Sequence, residues 1–205
     1  MSNRFVWDDE EQILNNSLVH SITNLPLFFR GSTFNTGGTG SLSGLYYKPL
    51  MTVFFSLFYT LFGANPFFFH LIQLIFHLVN TCLVFVLFRN FFPPMAFFLS
   101  LIFLVHPINV ETITYSSSLQ DILYLFFGLI SLLFLIKNDF NLKKTLTLSL
   151  LMLLSLLSKE TGIIFIFLSI LFAYLYQKTK LKSLFKAIFI SLASYSVLRF
   201  GVAQV

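Results

Sequence analysis

Residues 66–88 read PFFFHLIQLIFHLVNTCLVFVLF and contain no charged side chain. A helix needs about 20 mostly apolar residues to cross the hydrocarbon core of a bilayer, so this stretch predicts a membrane span. The rest of the chain has a similar character: 57% of its 205 residues are hydrophobic, 10% are charged and 29 are Phe. Soluble domains carry about 25% charged residues. We therefore expect an all-α, polytopic transmembrane helix bundle, and we exclude a disordered chain, a coiled coil and a soluble enzyme.

Further apolar stretches predict about six spans in total. Besides residues 66–88 they are 93–105, 119–136, 146–157, 162–176 and a last span that begins near Leu184. The aromatic stretch 50–62 is too short to cross comfortably, so we expect an interfacial helix there. The expected organisation is an external acidic loop with this helix in residues 1–65, followed by a transmembrane bundle in 66–205 that is incomplete at both ends.

Basic and acidic residues separate to opposite ends of these predicted spans. With alternating spans, one side receives eight of the 13 basic residues: Arg89, Lys137, Lys143, Lys144, Lys178, Lys180, Lys182 and Lys186. Basic residues accumulate on the cytoplasmic side of membrane proteins. The other side receives Asp8, Asp9, Glu10, Glu11, Glu111, Asp121 and Glu160. We therefore expect these acids to face the periplasm or exterior, and composition favours a bacterial inner membrane.

The span 66–88 carries a polar stripe formed by His70, Gln73, His77 and Asn80. These residues share one helix face, which predicts hydrogen bonds to neighbouring helices inside the bundle. The alternative interpretation of this stripe is a metal-binding site. Because a helix rises about 1.5 Å per residue, the two histidines are too far apart to bind one metal ion. We expect no metal site, and the single cysteine, Cys82, gives no disulfide. The glycine-rich stretch 37–40 is not a nucleotide fingerprint, because no strand precedes it.

Six sequence blocks follow one another along the chain in a recognisable order. They are Phe5-Val6-Trp7-Asp8-Asp9 followed by Ile13, Tyr47-Lys48-Pro49-Leu50, Asn65-Pro66-Phe67 with His70, His106-Pro107-Ile108-Asn109-Val110-Glu111, Asp121-Ile122-Leu123, and Ser158-Lys159-Glu160. In this order they resemble the GT-C integral-membrane glycosyltransferases, and most of all the protein O-mannosyltransferase-like branch with transmembrane and tetratricopeptide-repeat regions. One position departs from the pattern: Leu119 stands where the family has Arg.

The resemblance implies a function and a set of site residues. Such enzymes transfer a sugar, with mannose our first expectation, from a polyprenyl-phosphate carrier to an acceptor on the non-cytoplasmic face, and they generally invert the anomeric centre. The catalytic base would be Asp8 or Asp9, and the sequence leaves that choice open. The lipid-linked sugar is a substrate, and no cofactor is expected. The residues expected to bind substrate or the lipid phosphate are Lys48, His70, His106, Glu111, Asp121, Lys159 and Glu160.

The expected partners are membrane lipid, the polyprenyl-phosphate sugar and an acceptor protein, lipid or glycan, whereas nucleic acid is not expected. Relatives have a helix before the acidic loop and more helices after residue 205, so the resemblance predicts an N-terminal fragment of a larger enzyme. Two alternatives stay open. A lipid-linked-sugar flippase or transporter would place its ionisable groups nearer the bilayer midplane. A non-catalytic membrane subunit would fit the departure at Leu119.

Overall fold

The computed structural model describes residues 4–34 and 46–205, and the glycine-rich stretch 37–40 lies outside them. The described part is all-α and contains no strand, as the sequence predicts. Its α-helices are α1 (Pro49–Phe62), α2 (Pro66–Phe91), α3 (Ala96–Val105), α4 (Asn109–Thr114), α5 (Leu119–Lys137), α6 (Leu142–Ser158), α7 (Ile163–Tyr176) and α8 (Leu181–Ser196). Short 3₁₀ or π-helical turns extend several of them, including Ser116–Ser118 before α5 and Val197–Ala203 after α8.

Local sequence signals set where several helices begin. Asn65 caps α2 because its side chain accepts a hydrogen bond from the Phe67 amide at 3.1 Å, and Pro66 occupies the first helical position. Asn141 caps α6 in the same way, so that helix begins four residues before the predicted 146. Pro93 and Pro94 have no amide hydrogen to donate. The predicted segment 93–105 accordingly becomes helical only from Ala96.

Three helical segments are long and apolar enough to cross a membrane. They are Pro66–Phe91, Ser116–Lys137 and Lys178–Ala203. Every predicted span is helical in the structure, but α3, α6 and α7 are shorter than these three. The predicted interfacial segment 50–62 is also a helix, α1, and seven of its residues are buried. The long helices therefore make up the main body of the bundle. The short helices have polar ends that lie inside it.

The loops after α5 and after α7 meet at one end of the bundle. The Gln177 side-chain amide donates to the Ile136 carbonyl at 3.3 Å, and the Lys180 ammonium donates to the Leu135 carbonyl at 3.1 Å. The Phe91 ring, at the end of α2, contacts Tyr176 with 6.1 Å between the ring centroids. We call this the basic end, because the eight basic residues assigned to one side of the spans lie at or near it.

The first loop packs directly onto the bundle at the opposite end. Phe5, Ile13 and Val19 from that loop share one buried cluster with residues of α1, α2 and α5. Phe5 meets Phe69 of α2 edge to face, with 5.3 Å between the ring centroids. Such an aromatic pair stabilises by about 0.5–1.5 kcal/mol beyond the area it buries. The loop that carries Asp8 and Asp9 is therefore fixed to the transmembrane helices.

Two glycines allow α5, α6 and α7 to approach closely. A Cβ atom at Gly128 of α5 would lie 2.0 Å from the ring of Phe165 on α7. At Gly162, just before α7, a Cβ atom would lie 2.7 Å from the backbone carbonyl oxygen of Ser155. A ring can rotate away, but the helical backbone of α6 cannot move without disturbing its hydrogen bonds. Gly162 is therefore the stricter packing position.

Replacing Gly162 with Ala should destabilise the bundle. We expect Gly162→Ala to lower the free energy of unfolding by about 1–3 kcal/mol, the usual cost of overpacking a tight contact. The measurement is unfolding of the purified chain in mixed micelles by titration with sodium dodecyl sulfate. Gly201→Ala is the matched control, because nothing lies within 4 Å of a Cβ atom there. Equal stability of the two variants would contradict the packing argument.

Candidate functional site

Asp9 is a buried carboxylate that ties the first loop to the start of α5. It is fully inaccessible to solvent. Its Oδ1 accepts hydrogen bonds from the backbone amide and the hydroxyl of Ser117, both at 2.7 Å, and its Oδ2 accepts from the Ser116 amide at 3.3 Å. These donors begin the helical segment Ser116–Lys137, where the helix dipole also favours a negative charge. Asp9 therefore has a structural role.

Asp8 lies beside Asp9 in sequence but has different surroundings. It is half-buried, and no group among the described residues donates a hydrogen bond to its carboxylate. The residue before it, Trp7, has a φ of 50°, which is uncommon for a residue other than glycine. This strained turn sends the two neighbouring carboxylates into different environments. Asp8 is therefore the acid of the pair that is available for chemistry.

Lys48 lies at the entrance to α1, where its backbone and its side chain are both held. Its amide donates to the Thr33 hydroxyl at 2.8 Å, and its ammonium lies 4.5 Å from the centre of the Tyr46 ring. The pKa of Lys48 is lowered from its ordinary value, first by burial and then by repulsion from the ammonium of Lys159. The carboxylates of Asp121, Glu160 and Asp8 act in the opposite direction. All of these charged groups therefore lie within electrostatic reach of Lys48.

Two ion pairs complete this charged cluster. The Lys159 ammonium lies 2.5 Å from Oδ1 of Asp121, in the first turn of α5. The Arg199 guanidinium lies 2.5 Å from Oε1 of Glu160 and donates to the Tyr195 hydroxyl at 3.0 Å. The cluster joins the first loop, the start of α1, the start of α5, the α6–α7 connection and the turn after α8. Lys48, Lys159, Asp121, Glu160 and Asp8 thus belong to one charged cluster.

A polar cavity of about 270 Å³ adjoins this cluster. Asp121 lies in its wall, next to side chains from α2, α4 and α5. Its other polar lining residues are His77, Asn80, Asn109, Thr112 and Tyr124. Oδ1 of Asn80 is buried and accepts no hydrogen bond from the described residues. A buried acceptor without a donor is costly.

The polar stripe of α2 packs inside the bundle, and Gln73, His77 and Asn80 make the predicted hydrogen bonds to neighbouring segments, whereas the ring of His70 has no hydrogen-bond partner among the described residues. All four of its residues are buried. The Gln73 amide donates to the Tyr115 carbonyl at 2.9 Å, and the Asn80 amide donates to the Ile122 carbonyl at 3.0 Å. Nε2 of His77 lies 3.1 Å from the Leu104 carbonyl oxygen. Within the described ranges, no three His, Cys, Asp or Glu side chains lie close enough to share a metal ion.

Three residues proposed for substrate binding lie outside the charged cluster. His70 is buried in α2. His106 is exposed, accepts a hydrogen bond from the Ile108 amide at 3.2 Å and lines an apolar cavity of about 430 Å³. Glu111 is exposed on α4 and forms no ion pair with any described residue.

Sequence reasoning missed Tyr195, Arg199 and Ser117. Tyr195 and Arg199 are four residues apart, a spacing that puts two side chains on one helix face and was the available signal. No comparable signal marks Ser117, since it is one of three consecutive serines and its partner, Asp9, is 108 residues away.

The two neighbouring aspartates should respond differently to removal of their charge. Asp9→Asn replaces an acceptor oxygen with an amide that faces backbone donors, and we expect it to cost about 2 kcal/mol of stability, as for a hydrogen bond to a charged group. Asp8→Asn should change stability by about 0.5 kcal/mol or less. Unfolding of both variants in mixed micelles measures the difference. Equal losses would show that Asp9 is not the tether.

Comparisons with known proteins place the chain among relatives. No family model matches it, and no solved structure matches it. It is 30% identical over 181 residues to the protein O-mannosyl-transferase F38B6.6 of Caenorhabditis elegans, which covers 85% of this chain and 26% of that protein. It is 33% identical over 111 residues to the protein O-mannosyl-transferase TMTC3 of Homo sapiens, covering 54% of this chain and 12% of the human protein.

A third relative, the protein O-mannosyl-transferase TMTC1 of Mus musculus, is 34% identical over 123 residues, or 58% of this chain and 13% of the mouse protein. The chain thus spans about a quarter or less of the length of these relatives. Its own helical architecture and the order of its sequence blocks agree with this relationship. By sequence, the chain is a homologue of the protein O-mannosyl-transferases.

Proposed function

We propose that this chain forms the catalytic region of a membrane glycosyltransferase. It transfers a mannose-like sugar from a polyprenyl-phosphate carrier to an acceptor hydroxyl, with inversion at the anomeric carbon. The observation that carries the proposal is the half-buried carboxylate of Asp8, which lies in the field of Lys48 at the end of an apolar helix bundle. The relatives are named protein O-mannosyl-transferases, which supports the choice of sugar and of reaction.

The base in this proposal is Asp8. The acceptor oxygen attacks the anomeric carbon, its proton passes to the Asp8 carboxylate, and the bond between that carbon and the phosphate oxygen breaks. Asp9 is a poor candidate, because its acceptor positions are already occupied by the start of α5. Asp9 instead holds the loop, which keeps its neighbour in place.

The leaving lipid phosphate in this proposal is stabilised by Lys48 and Lys159. Their ammonium groups repel each other, so an anion placed between them relieves that repulsion. Asp121 pairs with Lys159 and also lines the polar cavity, which puts the cavity beside the cationic groups. A sugar ring, with hydroxyls on every side, suits the polar side chains that line that cavity.

The proposed orientation follows from the two ends of the bundle. The basic end is cytoplasmic, by the usual bias of lysine and arginine. The charged cluster around Asp8 then faces the periplasm or exterior, where the lipid-linked sugar is used. The apolar helices keep the isoprenoid chain of the donor in the membrane. The donor is thus a substrate, and the reaction calls on no soluble nucleotide.

Removing the charge of Asp8 should abolish transfer. We expect Asp8→Asn to lower turnover of polyprenyl-phosphate mannose by a factor of about 10²–10⁴, the usual contribution of a general base. The assay measures the release of polyprenyl phosphate by the chain in nanodiscs. Glu10→Gln is the matched control, because Glu10 is an exposed acid of the same loop. Undiminished turnover in Asp8→Asn would refute its assignment as the base.

The pH dependence of turnover should reflect the protonation state of Lys48. Its ammonium attracts the phosphate below its pKa, and this attraction is lost as the pH rises through that pKa. Because the pKa is lowered, the loss begins at a lower pH than for an exposed lysine. The neighbouring Tyr47 has its pKa raised to about 12, mainly by burial, so it stays neutral over this range.

We expect Lys48→Arg to move the alkaline loss of activity to higher pH, since arginine stays charged. Lys48→Gln should lower kcat by about 10²–10³, as for the loss of one preorganised donor. The pH profile of turnover measures both effects, with Lys178→Arg at the basic end as the control. An alkaline limb that does not move in Lys48→Arg would exclude Lys48 as its origin.

A further inference from the structure

A second cavity, separate from the charged cluster, opens toward the basic end of the bundle. It has a volume of about 270 Å³ and lies between α2, α5 and α7. Its walls are entirely apolar or aromatic, and they include Phe88, Phe91, Leu132, Leu171 and Leu175. We call this cavity the basic-end groove. No step of the proposed transfer reaction uses it.

Three cationic residues lie near the ends of the helices that line the groove. Arg89 lies between the lining residues Phe88 and Phe91 in sequence, and Lys178 comes two residues after the lining residue Tyr176. Lys137 ends α5, where the hydrogen bond from Gln177 to the Ile136 carbonyl brings α5 beside the end of α7. All three are exposed, and none forms an ion pair with a described residue.

The nearby Lys180 provides a useful contrast. Its ammonium donates to the carbonyls of Leu135 and Ile136 and lies 4.0 Å from Asp139. Lys180 is therefore occupied in closing the end of α5. Asp139 is the one acid at this end, against eight basic residues, so the mouth of the groove has an excess of positive charge.

We propose that the basic-end groove binds an anionic phospholipid. One acyl chain lies against Phe88, Phe91 and Leu171, and the phosphate lies among Arg89, Lys137 and Lys178. Two observations select a lipid of this charge. Two of its three lining helices, α2 and α5, belong to segments long and apolar enough to cross a membrane, and cations without an ion pair to a described residue lie near the ends of the helices that form its walls. A zwitterionic lipid would leave that positive charge uncompensated. This inference does not depend on the proposed transfer reaction.

The binding strength follows from the charges at the mouth. Each basic residue near an anionic membrane surface contributes a factor of about five to the binding constant. Lys178 also keeps its ammonium 5.4 Å from the centre of the Tyr174 ring, an arrangement that fixes this cation near the interface. Tyr174 and Tyr176 are exposed aromatic residues of the kind found where a bilayer meets water.

The test counts lipids on the purified chain by native mass spectrometry in detergent. The probes are phosphatidylglycerol and phosphatidylcholine, added in equal amounts. We expect the wild-type chain to retain phosphatidylglycerol preferentially. Each of Arg89→Gln, Lys137→Gln and Lys178→Gln should weaken phosphatidylglycerol binding about fivefold. Leu171→Trp, which fills the groove from an exposed position, should reduce the binding of both lipids.

The matched control removes three charges elsewhere at the same end, in the triple variant Lys143→Gln, Lys144→Gln and Lys186→Gln. It should leave phosphatidylglycerol binding nearly unchanged. Three results would overturn the proposal. One is the absence of a preference for phosphatidylglycerol in the wild-type chain, and another is an equal loss in the control, which would indicate diffuse attraction. The third is a groove covered by a second copy, seen as a dimer whose stability Leu171→Trp lowers while lipid binding is unaffected.

Discussion

The site depends on the burial of one carboxylate. Asp9 is withdrawn from solvent, and an unpaired charge in that position would be very unfavourable. The start of α5 supplies the donors that make its burial possible, through the amides of Ser116 and Ser117 and the hydroxyl of Ser117. The position of Asp8, and its distance from Lys48, therefore follow from how Asp9 is held.

The short helices impose a second requirement, which the polar stripe of α2 meets. Where α3 and α4 end, backbone carbonyls are left without partners inside an apolar bundle, and such groups must be satisfied within the protein. Gln73 and His77 lie against the carbonyls of Tyr115 and Leu104. Helix α2 is the clearest membrane span in the sequence, and its polar side chains also bind the irregular backbone around the site.

The sequence predicted the helices well, but it predicted few of the hydrogen bonds and ion pairs between side chains that are distant along the chain. The apolar run 66–88 predicted α2 to within a few residues, and the spacing of the stripe predicted its hydrogen bonds to the bundle. Both are local, periodic properties. The difference between Asp8 and Asp9 is not local, because it arises from donors more than 100 residues away. The ion pair of Arg199 is also not local, since its partner Glu160 lies 39 residues earlier.

The α6–α7 connection carries two neighbouring residues whose partners lie in opposite directions along the chain. Lys159 is bound to Asp121 at the start of α5, and Glu160 is bound to Arg199 after α8. Gly162 presses the same connection against the backbone of Ser155, so it has little freedom to yield. A shift of the final helix would thus be passed across a single peptide bond to Asp121 in the cavity wall. The connection thus links the last helix to the cavity wall through two ion pairs that are one peptide bond apart.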